Sequence, residues 1–240
     1  MPTHPLPTPQ ALNVVAHGQP VPTLTWTPAG DCRGVVLALH GGSGHKASPA
    51  ILAIAQACLA VDLAVLAIDG PVHGERSVDG NLDPTVSKQR FRDAWRAGVG
   101  RFSVAQDMKA ALDVFLAQPG HRDLPVGYIG VSMGTAYGIP LLADEPRIRA
   151  AAIGLWSTTY PASEHLAEQA RRIRCPVWFT QQWSDEAFDR QATQDLFDAV
   201  GSPDKRLVAY PGGHRELEGE RLQDAVRFVA GRLLQAGSPS

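Results

Sequence analysis

Gly130-Val131-Ser132-Met133-Gly134 closes the apolar run Pro125 to Ile129 and opens a stretch of small, helix-tolerant residues. Strand, tight turn and helix follow in that order, with a serine at the apex of the turn. A serine so placed sits on strained backbone with its hydroxyl pushed clear of the sheet. Glycines flank it because a Cβ at either position would collide where strand and helix pass. Serine is a weak nucleophile unless a base within hydrogen-bond reach takes its proton. Two later segments carry the groups that such chemistry needs. Ser184-Asp185-Glu186 follows the run Val177 to Gln182, and Gly212-Gly213-His214 follows Arg206 to Pro211. His214 is the candidate base. Asp185 is the candidate carboxylate that selects its tautomer and stabilises the imidazolium, with Glu186 and Asp189 near enough in sequence to compete for that place. Each residue also has a plainer use: Ser132 as a helix N-cap, His214 in an exposed turn, and the acidic residues at a helix N-terminus.

The elements that must position these groups alternate along the chain. Apolar runs at Val35–Leu39, Ala64–Ile68, Val126–Ile129, Ala150–Trp156, Val177–Gln181 and Arg206–Tyr210 read as strands. Helical patterns separate them: Ile51–Leu63, Val104–Ala117 with Pro119-Gly120 as a stop, a helix from Met133, and others from about Ala162 and Phe188. Arg221–Leu234 closes the chain as an amphipathic helix. Such alternation predicts an α/β fold with a mostly parallel sheet and helices on both faces. Segments around Leu12–Ala16 and Val21–Trp26 are expected to add an antiparallel edge. Pro140 should kink or end the helix that starts at Met133. In sheets of this kind chemistry gathers beyond the carboxyl ends of the strands, where all three candidates lie.

On His40-Gly41-Gly42, Gly130 to Gly134, Asp185 and His214, in the chain order serine, acid, histidine, the sequence resembles the α/β-hydrolase superfamily. Within it the likeness is to lid-poor dienelactone-hydrolase-like and acyl-peptidase-like serine esterases, and it spans the chain from about Gly34 onward. The resemblance implies a doubly wound sheet; the segment between Trp156 and Pro176 has room for a single helix, so no large cap domain is expected, the chain's length suits one domain over 11–240, and the Pro-rich start reads as a flexible leader over residues 1–10. It assigns one oxyanion donor to the backbone N–H of Met133. A second is expected from the loop after the first parallel strand, at Gly41 or Gly42, where absent side chains let backbone approach a substrate. His40 is expected to shape that loop by hydrogen bonding. His40, His73, Trp95, Trp156 and Trp183 are candidates for substrate contact, the tryptophans serving equally well as core. The connection from Asp69 to Phe102, which carries Glu75, Arg76, Phe91 and Trp95, is too long for an ordinary βα loop and should form a partial cover. Asp69 precedes the serine, so a structural role suits it better than that of the acid.

The rest of the composition narrows the partners. A formal charge of −2, with 22 basic and 24 acidic residues intermixed, gives no electrostatic footprint for nucleic acid or an anionic membrane. Cys32, Cys58 and Cys175 are odd in number and form no C-x-x-C, so they read as reduced cysteines of a cytoplasmic protein. His40, His45 and His73 match no metal-ligand spacing, and no metal or other cofactor is expected. The expected activity is hydrolysis of a small carboxylic ester. Thioester, lactone or aminoacyl amide hydrolysis would use the same groups, and a non-catalytic hydrolase-fold protein that binds a ligand or partner is the alternative of another class. Open sheet edges permit a homodimer.

Overall fold

The computed structural model describes residues 5–235. Its framework is an eight-stranded sheet. The chain enters through β1 (Gln10–Leu12), then β2 (Val15–Ala16) and β3 (Gln19–Pro20), a separate two-stranded hairpin, and then β4 (Thr23–Trp26). His17 and Gly18, both at positive φ, make the tight turn of that hairpin. The βα alternation then begins: β5 (Gly34–Ala38), α1 (Pro49–Leu59), β6 (Leu63–Ile68), α2 (Pro84–Arg96), α3 (Ser103–Leu116), β7 (Val126–Ile129), α4 (Met133–Asp144), β8 (Ile148–Gly154), α5 (Leu166–Ala170), β9 (Val177–Gln182), α6 (Arg190–Ala199), β10 (Lys205–Tyr210) and α7 (Gly219–Gln235). Strand order is β1-β4-β6-β5-β7-β8-β9-β10. All pairs from β6 to β10 are parallel, while β1 and β4 form the antiparallel edge expected from the sequence. Of the leader expected over residues 1–10, residues 1–4 lie outside the described residues. Leu6 packs on the core, and Gln10 begins β1.

Both faces of the sheet are covered. In β6, Leu63, Val65 and Ala67 face α1 and α7, while Ala64, Leu66 and Ile68 face the opposite core with α3 and α4. That two-residue alternation of wholly apolar residues is the pattern of a strand buried on both sides. Strand order reverses about β5, whose neighbours are β6 and β7. The crevice at this switch point is where open α/β sheets bind ligands. It lies between the loop after β5, which holds His40-Gly41-Gly42, and the turn after β7, which holds Ser132. Among the described residues no helix is long and apolar enough to cross a membrane.

Several boundaries differ from the sequence reading. α1 stops at Leu59 because Asp62, at φ 61°, turns the chain into β6. No glycine or proline marks that change, so the apolar run reads as continuous. Pro140 does not end α4, which runs on to Asp144 with Tyr137, Ile139, Leu141 and Leu142 buried around it; tertiary packing outweighs the lost backbone bond. The long connection contains a helix, α2, with Asp83 accepting from the Thr85 and Val86 N–H groups and Pro84 at its first turn.

Gly154 shows how tightly the carboxyl edge is built. Its φ is 139°, and a Cβ there would run into the Thr180 backbone on β9. Gly154→Ala is therefore expected to cost about 3 kcal/mol or more in urea unfolding. Gly231→Ala in α7, where a Cβ meets nothing within 4 Å, should instead gain roughly 0.5–1 kcal/mol. A Gly154→Ala protein as stable as wild type would contradict this packing.

Candidate active site

Ser132 has φ 57° and ψ −121°, a conformation L-residues seldom adopt. The surroundings leave it no alternative. Its N–H donates to the Gly154 carbonyl at 2.9 Å. Thr135 Oγ1 donates to the same carbonyl and accepts from the Gly154 N–H at 2.7 Å. Added Cβ atoms at Gly130 and Gly134 would lie 3.1 and 2.7 Å from the Leu39 carbonyl oxygen at the end of β5, which is why the turn tolerates only glycine on either side. Ser132 occupies the N-cap position of α4, yet its hydroxyl makes no capping bond. That hydroxyl is directed instead at His214, 3.1 Å from Nε2.

His214 Nδ1 lies 2.9 Å from Asp185 Oδ2. The other oxygen, Oδ1, accepts from the Ala187 and Phe188 N–H groups at 2.8 and 3.1 Å, so the carboxylate is fixed in place before it meets the ring. The two competitors are engaged elsewhere. Glu186 accepts from the His214 backbone N–H at 2.8 Å, and Asp189 caps α6 through the Ala192 N–H. The histidine loop is clamped from β9: the Gln182 side chain accepts from the Arg215 N–H at 2.7 Å and donates to the Arg215 carbonyl at 2.9 Å.

The loop after β5 shows which groups face the serine. Gly70 N–H donates to His40 Nε2 at 3.0 Å, so the ring proton sits on Nδ1 and donates to the Gly41 carbonyl at 2.7 Å. In a trans peptide the C=O and the next N–H point in opposite directions. Drawing the Gly41 carbonyl inward therefore turns the Gly42 N–H outward, to the cavity that Gly42 and Ser132 both line. Among the described residues, neither the Gly42 nor the Met133 N–H is engaged by a protein acceptor. Gly41 is different: it packs against the Glu216 carboxyl, which a Cβ on Gly41 would overlap. Of the two glycines, Gly42 is the one placed beside Ser132.

The cavity has a volume of about 580 Å³. Phe91, Trp156, Tyr160 and Phe188 form an apolar wall, and Lys88, Arg92, Glu186, Glu216 and Glu218 stand around it. Phe91 comes from α2, so the long connection does form one side of the site. Of the five residues expected to contact substrate, only Trp156 lines this cavity. His40 and His73 are buried behind the loop after β5, with His73 Nδ1 2.6 Å from the Pro71 carbonyl oxygen and Nε2 3.0 Å from that of Gly42. Burial holds both imidazoles below their usual range, His40 the more strongly. Trp95 is wholly buried, donating to the Pro161 carbonyl and packing edge-on against Trp156 and Tyr137. Trp183 points away from the site, half exposed beneath the Arg190 guanidinium. Asp69 is structural: fully buried, it accepts from Lys46 Nζ at 2.7 Å and from the Lys46 and Glu75 N–H groups. Glu75 pairs with Lys46 and Arg76 with Asp107. Glu216, Tyr160 and Phe188 were missed by sequence reasoning. Tyr160 and Phe188 had no signal, and Glu216, two residues beyond His214, sits in a charged run that reads as solvated.

Likenesses to known proteins accord with this geometry. A family model described as Hydrolase_4, serine aminopeptidase, S33, matches residues 143–221. A cold-adapted esterase from an Arctic intertidal metagenomic library, solved with polyethylene glycol, is 34% identical, with 94% of this chain and 93% of that one covered and a TM-score of 0.82. The native structure of such an esterase is 31% identical over 94% and 92% of the two chains, with a TM-score of 0.75. A dienelactone hydrolase from Anabaena variabilis shares the fold at 20% identity, covering 96% and 98%, with a TM-score of 0.67. No curated protein sequence matches the chain.

Glu216 carries the clearest electrostatic signature in the site. Burial raises its pKa to about 7, opposed by His214 and by the Gly41 N–H, and no cation pairs with it among the described residues. A carboxyl whose folded pKa exceeds its unfolded one holds its proton more tightly when folded. Wild-type stability should therefore fall as pH rises from the ordinary carboxylate range through about 7 and then level. Glu216→Gln removes that penalty. It should match wild type near pH 4.5 and exceed it by roughly 2 kcal/mol at pH 8. Urea midpoints at the two pH values measure this, and a gap that fails to open with pH would contradict it.

Proposed function

The chain belongs to the α/β-hydrolase superfamily, as a dienelactone-hydrolase-like serine ester hydrolase, and on that premise we propose that it cleaves small carboxylic esters through an acyl-enzyme on Ser132. The reading rests on one observation: a single imidazole, His214, bridges the strained Ser132 hydroxyl and the Asp185 carboxylate. As Ser132 Oγ attacks the ester carbonyl, His214 Nε2 takes its proton, and Asp185 holds the Nδ1–H and balances the imidazolium. The carbonyl oxygen becomes an alkoxide between the N–H groups of Met133 and Gly42. Removing one such donor typically costs about 10²–10³ in rate. Met133 also begins α4, so the positive end of the helix dipole faces the developing charge. The imidazolium then protonates the departing alcohol oxygen as the C–O bond breaks. Water, deprotonated by the same nitrogen, attacks the acyl-serine and frees the acid.

The wall of Phe91, Trp156, Tyr160 and Phe188 suits an apolar acyl or alkoxy group, and the cavity volume suits a small substrate. Ester carbonyls need only the attack geometry and two donors, and no step calls for a metal or organic cofactor.

Hydrolysis of a nitrophenyl acetate tests the assignment. Ser132→Ala should lose on the order of 10⁶ in kcat while melting as wild type does. Asp185→Asn should lose roughly 10³–10⁴, because the imidazole is freed to take the wrong tautomer. Glu186→Gln, which keeps an acceptor for the His214 N–H, and Asp189→Asn should stay within about tenfold of wild type. A Ser132→Ala enzyme with a tenth of wild-type turnover would overturn the mechanism. A large loss at Glu186 or Asp189 with Asp185→Asn nearly intact would move the acid and leave the other two roles standing.

A further inference from the structure

The apolar wall of the cavity is made of rings that pack on one another, and they form an arc with fixed ends. At one end Phe91, on α2, lies so close to Gly42 that a Cβ on that glycine would come within 2.6 Å of it. At the other end Phe188, between β9 and α6, packs against the His214 imidazole with centroids 5.3 Å apart. Trp156, after β8, joins the two, 6.0 Å from Phe91 and 4.9 Å from Phe188, and Tyr160 closes on Trp156 and Phe188 at 4.5 and 5.4 Å. The Trp156 Nε1–H is spent on Ser163 Oγ, so the indole brings no free donor to the cavity. Trp95 backs Trp156 edge-on at 5.4 Å, which leaves the wall little room to shift. Phe91, Trp156 and Phe188 are buried and Tyr160 is half-buried, whereas Lys88, Glu186, Arg215 and Glu218 around the mouth are exposed.

The cavity therefore has an enclosed aromatic side and a wet, charged side, and the order of events in acyl transfer decides which half of an ester goes where. The alcohol must leave once His214 Nε2 has protonated it, and water must then reach the same nitrogen. Both passages need a face open to solvent. The acyl group stays on Ser132 through both steps, so it alone can rest in the closed arc without blocking turnover. Rings take an aromatic guest edge-to-face or offset, with a gain beyond area burial that an aliphatic chain does not receive. We propose that the arc of Phe91, Trp156, Tyr160 and Phe188 is an acyl subsite for an aromatic ring, so that the substrates are esters of aryl-bearing carboxylic acids with the alcohol half facing the charged mouth. This inference rests on the proposed acyl-enzyme on Ser132, whose acyl group it specifies.

Methyl phenylacetate and benzyl acetate test this, because they are isomers that carry the same ring on the acid and on the alcohol respectively, with leaving alcohols of similar acidity. Wild type should hydrolyse methyl phenylacetate with a kcat/KM about tenfold or more above that for benzyl acetate. Tyr160→Leu and Phe188→Leu each keep the wall apolar and remove one ring. In each, if melting curves show it folded, the ratio of the two kcat/KM values should drop roughly three- to tenfold. The ratio is read within one enzyme, so a general loss of activity does not move it. A wild-type ratio near one or inverted, a ratio left unchanged in either folded variant, or a wild type that cleaves nitrophenyl acetate but not methyl phenylacetate would each overturn the inference. Ser132→Ala separates the two levels. If it is inactive and the wild-type preference is absent, only this inference fails; if Ser132→Ala still hydrolyses methyl phenylacetate, the acyl-enzyme reading fails and takes this inference with it.

Discussion

The backbone of Ser132 cannot relax, and the rest of the site depends on that. A non-glycine residue at φ 57° carries strain of order 1–3 kcal/mol, which persists only where surrounding structure over-determines it. Here Gly154 holds the serine N–H, Thr135 bonds both Gly130 and Gly154, and the Tyr128 hydroxyl donates to the Gly134 carbonyl at 2.6 Å. All of these groups belong to β7, β8, the first turns of α4 or the turn between β7 and α4. The strain is thus opposed by the sheet itself, and the hydroxyl is carried off the helix axis to where an imidazole from a distant loop can reach it.

The oxyanion loop obeys the same logic with different materials. It has no strand pairing of its own, so its peptides are aimed by side chains: His40 on the Gly41 carbonyl, His73 on the Gly42 carbonyl, and Asp69 with Lys46 on the segment that follows. A buried neutral imidazole suits this work at His40, because the ring presents one donor and one acceptor and carries no charge into the core. His40 spends both, on Gly41 and Gly70. Such histidines are readily taken for substrate ligands, but here they set the backbone beside Ser132.

The sequence made the framework readable because each strand and each chemical group is signalled locally. Runs such as Ala64–Ile68 are too apolar and too short to be anything but buried strands, and Gly130 to Gly134 has glycines where backbone closeness demands them. Positions that depend on long-range packing were not readable. Trp95 and Trp183 have the same chemistry as Trp156, and only the path of α2 and the start of α6 decide that one is core, one is solvent-facing and one lines the cavity. Asp83-Pro84 with Phe91 and Trp95 four apart did signal α2 locally. The expectation of a partial cover there named no helix, although its N-cap was legible. Glu216 was invisible for another reason: a carboxylate in a charged run, Arg215-Glu216-Leu217-Glu218, looks solvated until the fold presses it against Gly41.

α7 packs across β7, β8 and β9 and against α1, and Leu222, Val226, Phe228, Val229 and Leu233 complete the core on that face. Translation delivers this helix after all of the strands it covers. Until it emerges, Ile129, Ala150, Ala152 and their neighbours present one bare apolar side of a nearly finished sheet. His214 arrives in the same late segment, so the nascent chain carries its serine turn long before the imidazole that reaches it. Chain order thus ties two gaps together: the uncovered apolar face and the unpartnered serine both last until this late segment docks.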